Sequence, residues 1–219
     1  MVNETEEQQI AELKKWWSDN GTSIIVGVAL GLACVFGVRA WLAYQENVAG
    51  QASTVYTVML QGLERDDVQL VSERADILIT QYKATPYAAL AALALAKIRV
   101  QEGDLEAAVT QLQWVLDNGD LDVLGDTTRL RLARVLIAQH KLDEAEALVQ
   151  QPRSTTAFDN LYDEVSGDIY SARDNAAAAS EAYQRALAAT SSNNPGYQLL
   201  QLKYGNALAM STVTSEVSQ

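Results

Sequence analysis

The side chains best suited to bond-making chemistry are few in this sequence, and their spacing does not favour it. His140 is the only histidine and Cys34 the only cysteine among 219 residues. A hydrolytic triad needs a nucleophile, a base and a group that orients the base, so the usual base could come from one position alone. That position, His140-Lys141-Leu142, matches a turn between helices where glycine is typical, and His140 reads as a solvated turn residue. Cys34 lies inside an apolar run, which excludes an intramolecular disulfide and a thiolate zinc cluster. The carboxylate pairs Asp66-Asp67 and Asp143-Glu144 fall at turns or on polar faces and read as solvated caps rather than acid–base dyads. No His-Glu-x-x-His, Walker-type loop or dinucleotide-binding glycine pattern occurs. The expectation is a protein with no catalytic residues, no cofactor and no metal, whose output is recognition.

The elements that would position a recognition surface begin with an apolar helix. From Asn20 to Val38 there is no charged residue, and these 19 positions include Ile24, Ile25, Val28, Leu30, Leu32, Val35 and Phe36. At 1.5 Å rise per residue they reach about 28 Å, close to the hydrocarbon thickness of a bilayer. Trp16 and Trp17 precede the run and Trp41 and Tyr44 follow it, placing amphipathic rings at both headgroup levels. The run starts behind an acidic tail containing Glu4, Glu6, Glu7 and Glu12, so it reads as an uncleaved signal anchor and not as a cleaved leader. Lys14 and Lys15 outnumber Arg39 by one basic residue, a narrow margin that assigns the tail to the cytoplasm. Gly27 and Gly31 form a Gly-x-x-x-Gly spacing, a candidate contact for a second transmembrane helix.

Beyond Tyr44 the chain carries 13 Lys and Arg against 23 Asp and Glu, and a polymer of phosphates would be repelled. Nucleic acid is therefore not an expected partner. Long Ala-, Leu- and Gln-rich stretches with only three prolines and no sustained alternation predict an all-α fold. Three internal copies decide its kind: Gly103-Asp104-Leu105-Glu106-Ala107-Ala108, His140-Lys141-Leu142-Asp143-Glu144-Ala145 and Asp174-Asn175-Ala176 through Ala179, spaced by 37 and 34 residues. A helix–turn–helix unit recurring near 34 residues is the signature of tetratricopeptide repeats. Small residues stand where paired helices must cross closely: Ala96, Ala133 and Gly167 on first helices, and Ala108, Ala145 and Ala179 on second helices. The pair from about Asn47 to Tyr82 fits the pattern poorly, and Tyr197 to Met210 is predicted to form a capping helix. The expected domains are a cytoplasmic tail over 1–20, a transmembrane anchor over 21–44, a tetratricopeptide-like helical-hairpin solenoid over 45–210 and a loose polar tail over 211–219.

In stacked pairs the first helices line a concave groove. The register places Leu90, Leu93, Lys97, Val100 and Gln101 on that surface, then Leu130, Arg134 and Ile137. Leu161, Glu164 and Asp168 continue it, giving two positive groups at one end and two negative groups at the other. Such a surface suits a polypeptide segment held by side-chain pockets. The tight Lys, Arg and Asn cluster that captures a chain-terminal carboxylate is incomplete.

Several features together resemble one known family over nearly the whole chain, the ancillary SecYEG translocon subunits of Gram-negative bacteria. They are the acidic tail with Lys14-Lys15-Trp16-Trp17, the anchor, the Gly50-to-Tyr82 pair, Pro86-Tyr87-Ala88-Ala89-Leu90-Ala91 and the closing Leu199-Leu200-Gln201-Leu202-Lys203. The resemblance implies a single-pass inner-membrane protein with its tail in the cytoplasm and its repeats in the periplasm. It further implies association with the SecYEG translocon and with a membrane-anchored prolyl-isomerase-like chaperone, transfer of nascent secretory chains to periplasmic chaperones, and a link between the tail and a cytoplasmic stress-response regulator. It supplies no catalytic residues. A structural assembly factor of an inner-membrane complex, acting mainly through the transmembrane helix, is the alternative.

Overall fold

The computed structural model describes residues 2–119, 124–152 and 155–217, with side chains described from Gln8 to Val213. The described residues are helical with short turns and contain no strand. The chain divides into two compact units, Met1–Gln51 and Ala52–Gln219.

The first unit belongs to helix α1, which spans Val2–Glu64 and ends inside the second unit. Its most apolar window has a mean hydropathy of 2.2, and the helix is long and apolar enough to cross a membrane. Ile25, Val28, Leu30, Phe36 and Val38 are all exposed, as are Trp16, Trp17, Trp41 and Tyr44 on either side. In water so continuous an apolar surface is unfavourable by about 25 cal/mol per Å² of apolar area.

The second unit starts with the end of α1, followed by α2 (Val68–Gln81), α3 (Pro86–Glu102) and α4 (Leu105–Asn118). Then come α5 (Leu124–Ala138), α6 (Leu142–Val149), a short 3-10 turn at Thr156–Phe158, α7 (Asp159–Ala172), α8 (Ala176–Ala188) and α9 (Tyr197–Val217). Pro86 opens α3 after an extended Thr85, where its missing N–H leaves no hydrogen bond unmade.

One turn recurs between the helices of every pair. Asp66, Gly103, His140 and Asp174 all take left-handed backbone conformations, with φ of 54°, 80°, 58° and 58°. After each, the next residue donates its N–H across the turn: Asp67 to the Gly62 carbonyl, Asp104 to Arg99, Lys141 to Leu136 and Asn175 to Tyr170, all at 2.9 Å. This bond satisfies a carbonyl that the ending helix leaves open. Asp67, Asp104 and Asn175 then cap the following helix, accepting from the amides of Leu70, Ala107 and Ala178. The N-terminal pair, expected to fit poorly, therefore shares the turn of the other three. Asp66, like Asp174, reaches the left-handed region without glycine because its short polar side chain tolerates that conformation, so what disguises the pair is its lack of small residues at the marked helix-crossing positions.

Each pair is closed by the small residues the register marks. Ala96, Ala133, Ala108, Ala145 and Ala179 are almost fully buried. Gly167 is buried too, and a Cβ placed on it would lie 2.5 Å from the Tyr183 ring. The first pair has Met59 and Val71 at the equivalent places, and Gly62 takes over the close approach, with Val71 Cγ2 3.0 Å from where its Cβ would be. The core runs as linked clusters: Met59, Val71, Ala75 and Leu78 with α3, then Leu112, Leu130, Leu132, Leu136 and Val165, then Ala179, Tyr183 and Ala186 under Leu200 and Ala207 of α9.

The last helix differs from its expected end at Met210. It continues to Val217, with the Ser211 and Thr212 hydroxyls bonded back to the Leu208 and Ala209 carbonyls at 2.8 Å. No glycine or proline intervenes to stop it. The loose tail expected from Ser211 is thus helical up to Val217, and its last two residues lie outside the described ones.

Candidate peptide-binding groove

The first helices bring part of the predicted groove together. Leu90, Leu93, Lys97, Val100 and Gln101 of α3 face Arg134 of α5 across a cavity of about 710 Å³, floored by Leu112 of α4. Leu90 and Leu93 are half-buried, and Val100 is exposed although apolar. Arg131 and Thr127 of α5 also line the cavity, and the sequence register did not select either of them. A second hollow of about 250 Å³ shares Ala94, Lys97 and Gln101 and reaches Gly62, Leu63 and Val68. Outside that hollow, Tyr56 of α1 and Tyr87 of α3 meet as tilted rings with centroids 5.3 Å apart, and burial together with Tyr87 pushes the Tyr56 hydroxyl pKa up.

Other predicted residues stand elsewhere. Leu130 is 2% exposed and belongs to the core, so it offers no groove surface. Ile137 and Leu161 are partly buried against the same core. Glu164 and Asp168 do not form a free negative end. Lys203 of α9 meets the Glu164 carboxylate at 2.7 Å and the Asp168 carboxylate at 2.8 Å. The Tyr183 hydroxyl donates to Asp168 at 2.8 Å, and the Lys203 ammonium stands 5.9 Å from the Tyr183 ring centre. The expected two-ended charge pattern is therefore replaced by a positive half that is open and an acidic half that is covered.

Electrostatics agree with this closure. Burial lowers the Lys203 pKa, but hydrogen bonds to Asp168 and Glu164 outweigh it, and the net value is raised. Burial and then the Asp168 charge push the Tyr183 hydroxyl strongly upward, so it remains a donor.

A further polar cluster has no counterpart among the sequence expectations. Asp126, 1% exposed, accepts from the Tyr162 hydroxyl at 2.7 Å and from Arg129 Nη1 at 3.0 Å. Arg129 also donates to the Tyr162 hydroxyl at 3.0 Å and to the Pro152 carbonyl at 3.3 Å. These bonds tie α5 to α7 over 33 to 36 residues of sequence. A charge pair in so dry a place is strongly position-fixing, because removing one partner strands the other.

The residues with potential chemistry sit in structural roles. His140 is exposed at its turn, Cys34 is exposed on α1, and Asp143 is bound by Arg173 at 2.6 Å, which also holds Glu146. Among the described residues no group of three or more His, Cys, Asp or Glu side chains could hold a metal ion. On α1, a Cβ added at Gly27 or Gly31 would meet no atom within 4 Å.

The model of the tetratricopeptide repeat-like domain matches residues 14–209. The chain is similar to the ancillary SecYEG translocon subunit of Haemophilus influenzae, 30% identical over 201 residues that cover 92% of this chain and 97% of the relative. It is also 32% identical to the protein of that name from Escherichia coli over 144 residues, 66% of this chain and 69% of the relative. With that of Aggregatibacter actinomycetemcomitans it shares 29% over 204 residues, 92% and 97% of the two chains. No solved structure matches the chain. An apolar N-terminal helix, four helix pairs with a common left-handed turn among the described residues and a relative 30% identical over 92% of the chain lead to one assignment: the chain belongs to the family of ancillary SecYEG translocon subunits, which carries a tetratricopeptide repeat-like domain.

Proposed function

We propose that the protein is an inner-membrane scaffold that holds polypeptide segments beside the SecYEG translocon and passes translocated chains to periplasmic chaperones. The observation that carries this reading is the open groove of about 710 Å³ on α3 and α5, large enough for several side chains of a bound segment. The names of the relatives supply the translocon as the neighbour. In this reading α1 anchors the chain, the tail before it is cytoplasmic, and the repeats lie in the periplasm. Partners are the translocon itself, a membrane-anchored prolyl-isomerase-like chaperone, and nascent secretory chains, with a cytoplasmic stress-response regulator at the tail. The groove acts without bond-making: apolar side chains of the partner enter between Leu90, Leu93 and Val100, and Lys97 and Arg134 fix polar groups at the rim. Photocrosslinkers at positions 97 and 134 of the full chain in native membranes should trap translocon components, chaperones or secretory chains. Recovery of none would remove the scaffold reading.

A second reading makes the protein an assembly factor whose main contact is α1, and the open face at Gly27 and Gly31 favours it. Close helix approach needs such a face. Replacing 21–44 by an unrelated transmembrane segment separates the two readings: complex formation persists under the first and vanishes under the second.

A further inference from the structure

Two of the three cations of the groove are left over. Elsewhere in the repeats Arg99, Arg129, Lys141, Arg173, Arg185 and Lys203 each meet a carboxylate within 3.0 Å. Arg65, Arg74 and Lys83 have no ion pair among the described residues, but they stand apart from one another in sequence and line no common cavity. Lys97 and Arg131 have no ion-pair partner among the described residues, and both are exposed at the cavity. Arg134 lies 3.7 Å from Glu164, whose carboxylate Lys203 already holds at 2.7 Å. The cavity lining contains these three cations and no carboxylate, in a chain with 28 acidic and 16 basic residues. In a sequence so acidic, three basic side chains around one apolar hollow are a local reversal of sign. The low-dielectric wall provided by Leu90, Leu93 and Val100 strengthens whatever they attract.

We infer that the groove selects acidic amphipathic polypeptide segments, in which apolar side chains alternate with internal Asp or Glu. This deepens, and rests on, the reading of the groove as a polypeptide site. Lys97 stands on α3 while Arg131 and Arg134 stand one turn apart on α5, so carboxylates on both flanks of an inserted apolar side chain find a partner. The three cations span two helices instead of converging on a single point, which favours side-chain carboxylates along a segment over one terminal carboxylate.

The test uses the full chain in nanodiscs of zwitterionic lipid and three fluorescein-labelled twelve-residue peptides. All three have the same leucine positions, and the residues between are Glu, Gln or Lys. Two exposed charge pairs predict that the Glu peptide binds roughly fivefold to tenfold tighter than the Gln peptide by fluorescence anisotropy, with the Lys peptide weakest. Lys97→Gln combined with Arg131→Gln should abolish that preference while leaving the helical circular dichroism unchanged. Equal binding of the Glu and Gln peptides, or tightest binding of the Lys peptide, overturns the inference and leaves the polypeptide reading intact. Failure of all three to bind removes that reading itself. In nanodiscs containing phosphatidylglycerol, displacement of the Glu peptide that the double variant relieves would assign the cations to lipid headgroups and overturn the inference too.

Discussion

Lys97, Arg134 and Asp168 occupy one position of the repeat, 37 and then 34 residues apart, and so do Leu93, Leu130 and Glu164. On α3 and α5 that position carries a cation beside an open hollow; on α7 it carries an anion bound by α9. The backbone is the same in both places, with a left-handed turn after each first helix and a small residue at each crossing. What differs is the element opposite. Where α9 follows, Lys203 and Tyr183 consume the polar groups of α7, and the concave face is half-buried. On α3 no helix supplies Lys97 with a counter-charge among the described residues, and on α5 Arg134 has only the distant Glu164 at 3.7 Å, so that face remains available to a partner. The repeat thus sets position, and the neighbour decides whether a position holds the fold or meets another molecule.

The strongest way to break this contrast is to cut the link between the halves. Asp126→Ala strands Arg129 beside Tyr162 and should lower unfolding free energy by about 3–5 kcal/mol, read from urea denaturation of the full chain in detergent. Next comes Gly167→Ala, whose added methyl collides with the Tyr183 ring and should destabilise by about 1–3 kcal/mol, although alanine is native at the equivalent Ala96 and Ala133. An unchanged thermal midpoint would show that Tyr183 yields freely.

Lys203→Met should remove about 1.5–2 kcal/mol, since Glu164 and Asp168 then repel one another one turn apart on α7. Its pH dependence has a definite sign. The folded Lys203 pKa lies above 10.5, so its contribution is complete below the unfolded value and is lost as pH rises through the folded value. Tyr183, raised above 10.0, acts in the same direction. The native chain should therefore lose more stability than the methionine variant between pH 10 and 12. Equal alkaline slopes would show that the lysine contributes nothing to the closure.

A gain is expected at the turns. His140→Gly relieves a left-handed residue and should stabilise by about 0.5–1 kcal/mol, and a loss of stability would show that the imidazole has a partner. The smallest effect belongs to Lys97→Gln, within about 0.5 kcal/mol of native stability, because no fold contact of the ammonium is lost among the described residues.

Local features were readable in advance. Gly103-Asp104 and His140-Lys141 announce turns because left-handed residues and caps are short-range chemistry. Apolar spacing was sufficient for the groove wall on α3. What escaped depends on residues far apart in sequence. Lys203 reaches Glu164 across 39 residues and Arg129 reaches Tyr162 across 33, and no periodicity encodes which charges meet. Arg131 escaped because its repeat equivalent is Ala94, a small residue not projected onto the groove, although both line the hollow. The first pair hid because Met59 and Val71 stand where the other pairs carry alanine or glycine.

The recurring left-handed turn has a further consequence for how such an array can change length. Asp66, Gly103 and His140 are separated by equal intervals of 37 residues, so excising or duplicating the stretch from Asp67 to Gly103 rejoins one turn to its own equivalent. The chain could grow or shrink by whole modules through unequal recombination without shifting any helix out of phase, whereas an insertion of one or two residues within a helix would rotate the rest of that helix against its neighbours.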